Sequence, residues 1–222
     1  MQSDFKGIGM TSQRTRDRLA ETLIEMGIES EAVLDVIRNT PRHFLEDEAL
    51  ATRAYENTEL PIGFNQTISQ PYIVAKMIEA LIKDNKLHKV LEIGTGCGYQ
   101  TFVLAQFVDY VYTVERIDGL LVRARERFQK LGCTNIRSNH SDGNIGWKAH
   151  APYDGIIVSA APIGVPSALR EQLALDGRLI IPVGEAGEQK LLEITRNQAD
   201  YSEKLLDSVS FVPMLAGTDA TR

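Results

Sequence analysis

The chain predicts an α/β fold, a doubly wound and mostly parallel sheet with helices on both faces, preceded by an N-terminal helical extension. Three observations carry that expectation. Apolar, β-branched runs at Val90 to Ile93, Tyr110 to Val114, Ile136 to Asn139 and Tyr153 to Ser159 alternate with helical patterns, as strands and crossover helices do. The first run enters three glycines at alternate positions, Gly94, Gly96 and Gly98, so a strand-to-helix turn can bring its N–H groups close to a bound molecule. The second run ends on Glu115, and in such a sheet that acid lies beside the glycine loop.

Composition bounds the rest. The 222 residues can form one domain, and 43 % apolar with 24 % charged residues is ordinary for a soluble globular protein. No apolar run is long enough to cross a bilayer. Met1 to Thr11 has no basic start and no continuous apolar stretch, so no signal peptide is expected and the cytoplasm is the expected compartment. Cys97 and Cys133 have neither metal-ligand nor disulfide-framework spacing and are expected as free thiols. The four histidines, His43, His88, His140 and His150, are scattered, and no metal is implied. A formal charge of −6 opposes binding to nucleic acid.

Taken in order, residues 1 to 11 have no period and are expected to be loose. A helix begins at Ser12, carries Leu19, Leu23 and Met26 on one side and ends at Gly27. A second is capped by Ser30, shows Val33 and Ile37 on one face and stops before Pro41. Leu45 to Tyr55 reads as mostly helical. Tyr55 to Tyr72 has no clean period, Pro61 and Gly63 break it, and Ile62, Phe64 and Ile68 are too apolar for a linker, so a long loop folded back over the molecule is expected. Pro71 opens a helix with Ile73, Val74, Met77, Ile78 and Leu81 on one face, and Ser69 just before it reads first as a helix cap. Capping does not exclude catalysis, since the cap lies beside free N–H groups that attract anions.

Beyond the glycine loop a helix is expected from Tyr99 to Phe107. Asp118 can cap the next, which carries Leu120, Leu121, Ala124 and Phe128 and ends near Gly132. Ser141, Asp142 and Gly143 follow the third strand. A helix from Pro166 to Leu173, a turn at Asp176-Gly177, strands at Arg178 to Pro182 and Lys190 to Ile194, and a last strand at Val209 to Leu215 complete the expectation. Trp147 reads as core or pocket wall.

The loop spacing narrows the ligand. A dinucleotide fingerprint needs its third glycine three residues after the second, where this chain has Tyr99, so a nicotinamide cofactor is disfavoured. Glu115 can accept both hydroxyls of a ribose, and Asp142 can accept from an adenine amino group, although Asp-Gly is also a common turn pair. The run from Glu92 to Gly98, with Glu115 after it, resembles the cofactor site of class I S-adenosylmethionine-dependent methyltransferases. The fourth strand ends in Ser159-Ala160-Ala161-Pro162, unlike the Asn/Asp-Pro-Pro-aromatic segment common in enzymes acting on nucleobase amino groups.

Set beside Pro41-Arg42, Tyr55-Glu56-Asn57, Leu60-Pro61-Ile62-Gly63 and Gln66-Thr67-Ile68-Ser69-Gln70-Pro71, the stretch from Val90 to Gln100 makes the chain resemble the protein-L-isoaspartate (D-aspartate) O-methyltransferases over most of its length. The resemblance implies a Rossmann-like class I methyltransferase fold, S-adenosyl-L-methionine as cofactor, and isoaspartyl-containing peptides and proteins, with D-aspartyl residues, as substrates. It divides one domain into an N-terminal helical extension and substrate loop, 1–70, and a cofactor-binding α/β core, 71–222. Ser69 matches the family's active-site serine, and Thr67 joins it as a catalytic candidate. Glu92, Gly94, Gly96, Gly98, Gln100, Glu115, Asp142 and Gly143 are the expected cofactor-binding residues. A monomer with no nucleic-acid or membrane partner is expected. Three residues depart from the family pattern: Cys97 for serine, and Ser141 and Asn65 at glycine positions.

The chemistry so implied needs no general base, because a carboxylate with a pKa near ~4 is already ionised at neutral pH. Alignment with the methyl donor and exclusion of water are what a protein must add. Thr67 and Ser69 are expected to hold that carboxylate by hydrogen bonds, Ser69 orienting and not attacking. Two other readings keep the same scaffold: a methyltransferase for small-molecule carboxyls or hydroxyls, and a non-catalytic S-adenosylmethionine-binding regulator, which would not need the Thr67 to Ser69 segment.

Overall fold

Ser12 and Ser30 open the first two helices, α1 (Gln13–Glu25) and α2 (Glu31–Asn39), and the Ser30 hydroxyl accepts from the Val33 amide at 3.4 Å. The computed structural model describes residues 7, 9–83 and 87–221, so residues 1–6 and 8 of the stretch expected to be loose lie outside it. Gly27 takes a φ of +98° just past α1, as a terminating glycine should. Met26 differs from expectation: it is the C-cap residue, past the last helical position, and 41 % exposed, so it does not join Leu19 and Leu23 in the core. Leu45 to Tyr55 is helical only as a 3-10 piece, Glu48–Arg53, which follows another at Arg42–Phe44.

The segment expected to be a long loop contains a hairpin instead. Strands β1 (Leu60–Gly63) and β2 (Gln66–Ile68) pair antiparallel, and Phe64 and Asn65 make the turn with φ of +53° and +55°. A two-residue turn with positive φ at both positions matches the twist of paired strands. Asparagine tolerates that region better than most residues, so the departure at Asn65 fits its place. Helix α3 (Pro71–Ile82) follows, burying Val74, Ala75, Met77, Ile78 and Leu81, with Ile73 only half-buried.

The sheet is built from β3 (Lys89–Ile93), β4 (Tyr110–Glu115), β5 (Ile136–His140), β6 (Tyr153–Val158), β7 (Leu173–Val183), β8 (Gln189–Arg196) and β9 (Tyr201–Val209). Among the described residues these seven strands lie in the order β5-β4-β3-β6-β7-β8-β9. Pairs up to β6 with β7 are parallel, and β7 with β8 and β8 with β9 are antiparallel. Chain order reverses direction across β3, so the crevice for a ligand opens at its carboxyl end. Period-two alternation separates two cores: Val90, Val111, Ile157 and Ile180 face one side with α1 to α3, and Leu91, Val114, Ile156, Val158 and Ile181 face the other.

Five features here differ from the sequence expectation. Helix α4 (Tyr99–Leu104) stops three residues early, in turns. Helix α5 (Asp118–Lys130) has Ile117 at its cap and Asp118 at its first position. Helix α6 spans only Ser167–Glu171, and Asp176-Gly177 is an irregularity inside β7 instead of a turn between elements, with Asp176 at φ +62°. The strand expected at Val209 to Leu215 is absent from that place: β9 lies before it, and the following residues form an irregular strap. Pro213 has no N–H to donate, and an isolated bridge between it and Ala161 stands in place of a ladder there.

That strap is fastened at both ends. The Ala161 amide donates to the Val212 carbonyl and the Met214 amide to the Ala161 carbonyl, both at 2.8 Å. At the far end the Asp118 amide donates to the Asp219 carbonyl at 2.9 Å, and the Asp219 amide to the Arg116 carbonyl at 2.7 Å. The strap therefore runs from the end of β6 to the end of β4, across the crevice.

Candidate active site

At the carboxyl end of β3 the three glycines all adopt positive φ, +94°, +54° and +90°, but for two different ends. A Cβ on Gly98 would stand 2.6 Å from Phe128 Cε1, so that glycine admits α5 and is absent from the cleft lining. Gly94 and Gly96 do line the cleft, so their bare backbones face its interior. The cleft holds about 820 Å³ of empty space, counted out into open solvent.

The two acids that flank the loop are placed differently. Glu115 lines the cleft, where its Oε2 accepts from the Gly96 amide at 2.9 Å and its Oε1 from the Ile117 amide at 3.0 Å. Burial pushes its pKa up, and those backbone amides oppose the shift. Each carboxylate oxygen has a further lone pair for a ligand hydroxyl. Glu92 is fully buried beneath the loop and outside the lining. Thr101, Thr113 (2.7 Å) and Gln100 (3.2 Å) all donate to it. Burial pushes its pKa up to about 7 despite those donors. Glu92, expected among the cofactor-binding residues, thus lies outside the cleft lining, hydrogen-bonded to residues of α4 and β4.

Gln100 connects the two levels. Its Nε2 donates to Glu92 and, at 2.8 Å, to the Ser159 hydroxyl, while its Oε1 is buried with no hydrogen-bond partner among the described residues. Gln100 lines the cleft, so an acceptor is left for a ligand that carries a donor, such as an amino group. Ile93, Val114, Leu120 and Met214 supply apolar wall. A nucleoside with a charged amino-acid arm fits this set: apolar wall, an acid for hydroxyls, and an amide oxygen for the arm.

Asp142 does not line the cleft, whereas Gly143 does. Asp142 Oδ1 accepts from the Asn144 amide at 2.8 Å and from Asn144 Nδ2 at 2.9 Å, and Oδ2 accepts from the Gly217 amide of the strap at 2.7 Å. The acid expected at an adenine thus also pins the strap. Gly143 permits close approach to β3, where a Cβ would meet Ile93 Cγ2 at 2.4 Å.

On the other side, Ser69 is not the cap of α3. Gln70 occupies that position, and no side-chain hydrogen bond closes it. Ser69 and Thr67 line both the cleft and a broad groove of about 1,720 Å³, bounded also by Asn57, Ile73, Lys190 and Phe211. Ser159 and Val212 are likewise shared by the two cavities. The structure thus brings Thr67 and Ser69 to the same cleft as Gly94, Gly96, Gln100, Glu115 and Gly143. Ser159 and the strap wall Val212 to Leu215 were absent from the expected site. The carboxyl end of the fourth strand signals Ser159 by topology, while nothing local marks the strap.

The departing residues are compatible with this geometry. Cys97 is buried and offers its carbonyl to Arg127 at 3.2 Å, and the Ser141 amide donates to the Glu115 carbonyl at 3.1 Å. The histidines serve the framework, His43 with the Tyr55 hydroxyl, His88 with Asp109, His140 with the Arg116 carbonyl, and His150 against the Tyr112 ring.

Residues 14–219 match the family described as protein-L-isoaspartate(D-aspartate) O-methyltransferase. The protein-L-isoaspartate O-methyltransferase of Halorhodospira halophila is 56 % identical over 211 residues, covering 95 % of this chain and 96 % of that one. That of Pseudomonas syringae pv. tomato is 57 % identical over 208 residues, 94 % and 99 % of the two chains. A crystal structure from Plasmodium falciparum, assigned to the same activity and solved with S-adenosyl-L-homocysteine, superposes with a TM-score of 0.78 at 27 % identity, covering 89 % of this chain and 97 % of that one. With the match running from the first helix to the strap, this chain belongs to the protein-L-isoaspartate (D-aspartate) O-methyltransferase family.

Proposed function

We propose that this chain transfers a methyl group from S-adenosyl-L-methionine to the free α-carboxylate of L-isoaspartyl residues, and of D-aspartyl residues through their side-chain carboxylate, in damaged peptides and proteins. The single observation that carries the reading is the wall shared by the two cavities. Thr67, Ser69 and Ser159 put three hydroxyls between the cleft suited to the donor and a broader groove. Family membership over nearly the whole chain and the nucleoside-type ligand of the Plasmodium structure support it.

S-adenosyl-L-methionine supplies an electrophilic methyl on a sulfonium. Gly94, Gly96, Gln100, Glu115 and Gly143 would hold it, with Glu92 bracing the loop and Gly98 seating α5 behind it; Asp142 acts at the adenine end or through the strap. Thr67 and Ser69 hold the acceptor carboxylate by hydrogen bonds and aim one oxygen at the methyl. Because that carboxylate is already ionised, no residue has to remove a proton, and in-line alignment with water excluded supplies the rate. The ester then loses methanol as the neighbouring backbone nitrogen attacks it, and water reopens the resulting succinimide, in part to a normal aspartyl bond.

The groove suits a varied substrate, since an isoaspartyl linkage lengthens the main chain by one methylene and the flanking side chains differ from one damaged site to another. Residues 1–70 act as the acceptor-side extension and 71–222 as the donor core, in one domain. The protein works as a monomer in the cytoplasm without nucleic acid, a placement supported by its net charge of −6 and its two free thiols. Methyl-labelled S-adenosylmethionine tests the whole: label should pass to an isoaspartyl peptide and not to its normal aspartyl isomer, and transfer to a small carboxylic acid in preference to both would overturn the reading.

A further inference from the structure

Pro41-Arg42 carries the family resemblance without any assigned role. In the structure Arg42 is 1 % exposed, and its guanidinium makes three contacts at once. Nη2 donates to the Ser69 carbonyl at 3.1 Å, Nε lies 2.9 Å from Glu46 Oε1, and Cζ stands 4.5 Å from the centre of the Tyr99 ring. Tyr99 directly follows the glycine loop and lines the cleft. The Glu46 side chain is as buried as that of Arg42.

Glu46 also serves a second arginine. Its main-chain carbonyl accepts from Arg127 Nη2 at 3.4 Å, and Arg127 Nη1 donates to the Cys97 carbonyl, inside the glycine loop, at 3.2 Å. One residue is thus joined by two guanidinium bridges to both halves of the site, the Ser69 segment through its side chain and the glycine loop through its main chain.

We propose that Arg42 and Glu46 are positioning residues for methyl transfer, setting the Ser69 segment at a fixed distance from the glycine loop, with Arg127 completing the brace. The inference rests on the reading of Ser69 as the acceptor-side residue. Stability alone does not account for the pair, because desolvating two charges offsets most of their attraction and apolar residues of similar volume often serve a core as well. Only a planar fork meets a carboxylate, a carbonyl and a ring face together, which a lysine ammonium cannot do. Displacement of a reacting group by about 1 Å is enough to lower a rate on the order of a hundredfold, so a brace that sets this spacing is felt in turnover.

The test measures kcat and KM for an isoaspartyl peptide, donor affinity by calorimetry, and melting temperature on the full chain. Arg42→Lys, Glu46→Gln and Ser69→Ala are compared with Leu23→Val, a core substitution in α1, at a temperature well below every melting point. Arg42→Lys and Glu46→Gln should each lower kcat by about tenfold or more with donor affinity within about twofold of the parent, while Leu23→Val keeps its kcat. If Arg42→Lys does not fold, Glu46→Gln, which conserves volume, decides. A kcat loss no larger than that of Leu23→Val, or a donor affinity that falls in step with kcat, overturns the proposal. Full turnover in Arg42→Lys and Glu46→Gln beside a slow Ser69→Ala overturns the brace alone, whereas full turnover in Ser69→Ala overturns the Ser69 reading and the brace with it.

Discussion

The Gly96 amide donates to Glu115 Oε2 at 2.9 Å, so the glycine loop and the acid at the end of β4 form one hydrogen-bonded unit. Replacing Glu115 with alanine removes the acceptor proposed for the ribose and frees the loop amide together. Hydrogen bonds to a charged group are worth about 1.5–3 kcal/mol, so affinity for S-adenosylmethionine should weaken roughly ten- to a hundredfold. Calorimetric titration checks this, and unchanged affinity would remove the ribose role.

Ser69 lies one residue outside the cap of α3. Ser69→Ala should therefore leave the melting temperature nearly unchanged, short of the roughly 1 kcal/mol that loss of a cap takes. Turnover on an isoaspartyl peptide should fall by about one to two orders of magnitude with donor affinity intact. Thr67→Val should behave alike, with a smaller loss. A drop in stability without a specific rate effect would return Ser69 to the capping role.

Glu92 titrates at about 7 when folded, against 4.5 for an unperturbed glutamate. Below about 4.5 it is protonated in both states and contributes no pH dependence. Between those values the folded protein keeps a proton that the unfolded chain has released, so stability declines as pH rises, by up to about 1.4 kcal/mol per unit, and the loss is complete above about 7. Glu92→Gln abolishes this component. Its melting temperature relative to the parent should climb between about pH 5 and about pH 8, and a constant offset across that interval would contradict the assignment.

Gly98 combines a φ of +90° with a Cβ position 2.6 Å from the Phe128 ring. Gly98→Ala should lose about 1–2 kcal/mol to backbone strain and about 1–3 kcal/mol to the clash. Adding Phe128→Leu should recover the second part and not the first. Urea denaturation reads both, and a single variant within about 0.5 kcal/mol of the parent would refute the packing role.

Asp142 holds the strap through the Gly217 amide at 2.7 Å. Asp142→Ala should let the strap lift more often, raising the donor's dissociation rate several-fold and exposing Leu215 to Gly217 to limited proteolysis. Stopped-flow release and mass spectrometry of the fragments check both effects, and an unchanged cleavage rate would sever Asp142 from the strap.

Much of this was legible in the residues, for identifiable reasons. Between Val90 and Glu115 the strands, the glycine loop and the closing acid stand where the residues place them, with α4 shorter than expected, because a buried parallel strand, a tight loop and a terminal acid each leave a local pattern. The β1–β2 hairpin was not seen because its strands are only four and three residues long and hold Pro61. β9 escaped because it is an edge strand with Ser202, Glu203 and Lys204 in succession and no alternating apolar face. The Ser69 cap was misplaced by one residue, since a proline marks the start of a helix more sharply than it marks which neighbour caps it. Arg42 and Glu46 stand four residues apart, a spacing that allows an ion pair, but their meeting with Ser69 and Arg127 joins residues far apart in the chain, and no spacing rule brings those together.

The strap has one more implication, which concerns synthesis. Val212 to Leu215 form one wall of the donor cleft yet follow every strand of the sheet in the chain. A growing polypeptide can therefore assemble its framework before it can retain S-adenosylmethionine, and whatever protection that ligand gives against unfolding reaches only molecules translated past this point. Clipping of a mature molecule just before Val212 would return it to the same unprotected condition with its sheet still in place.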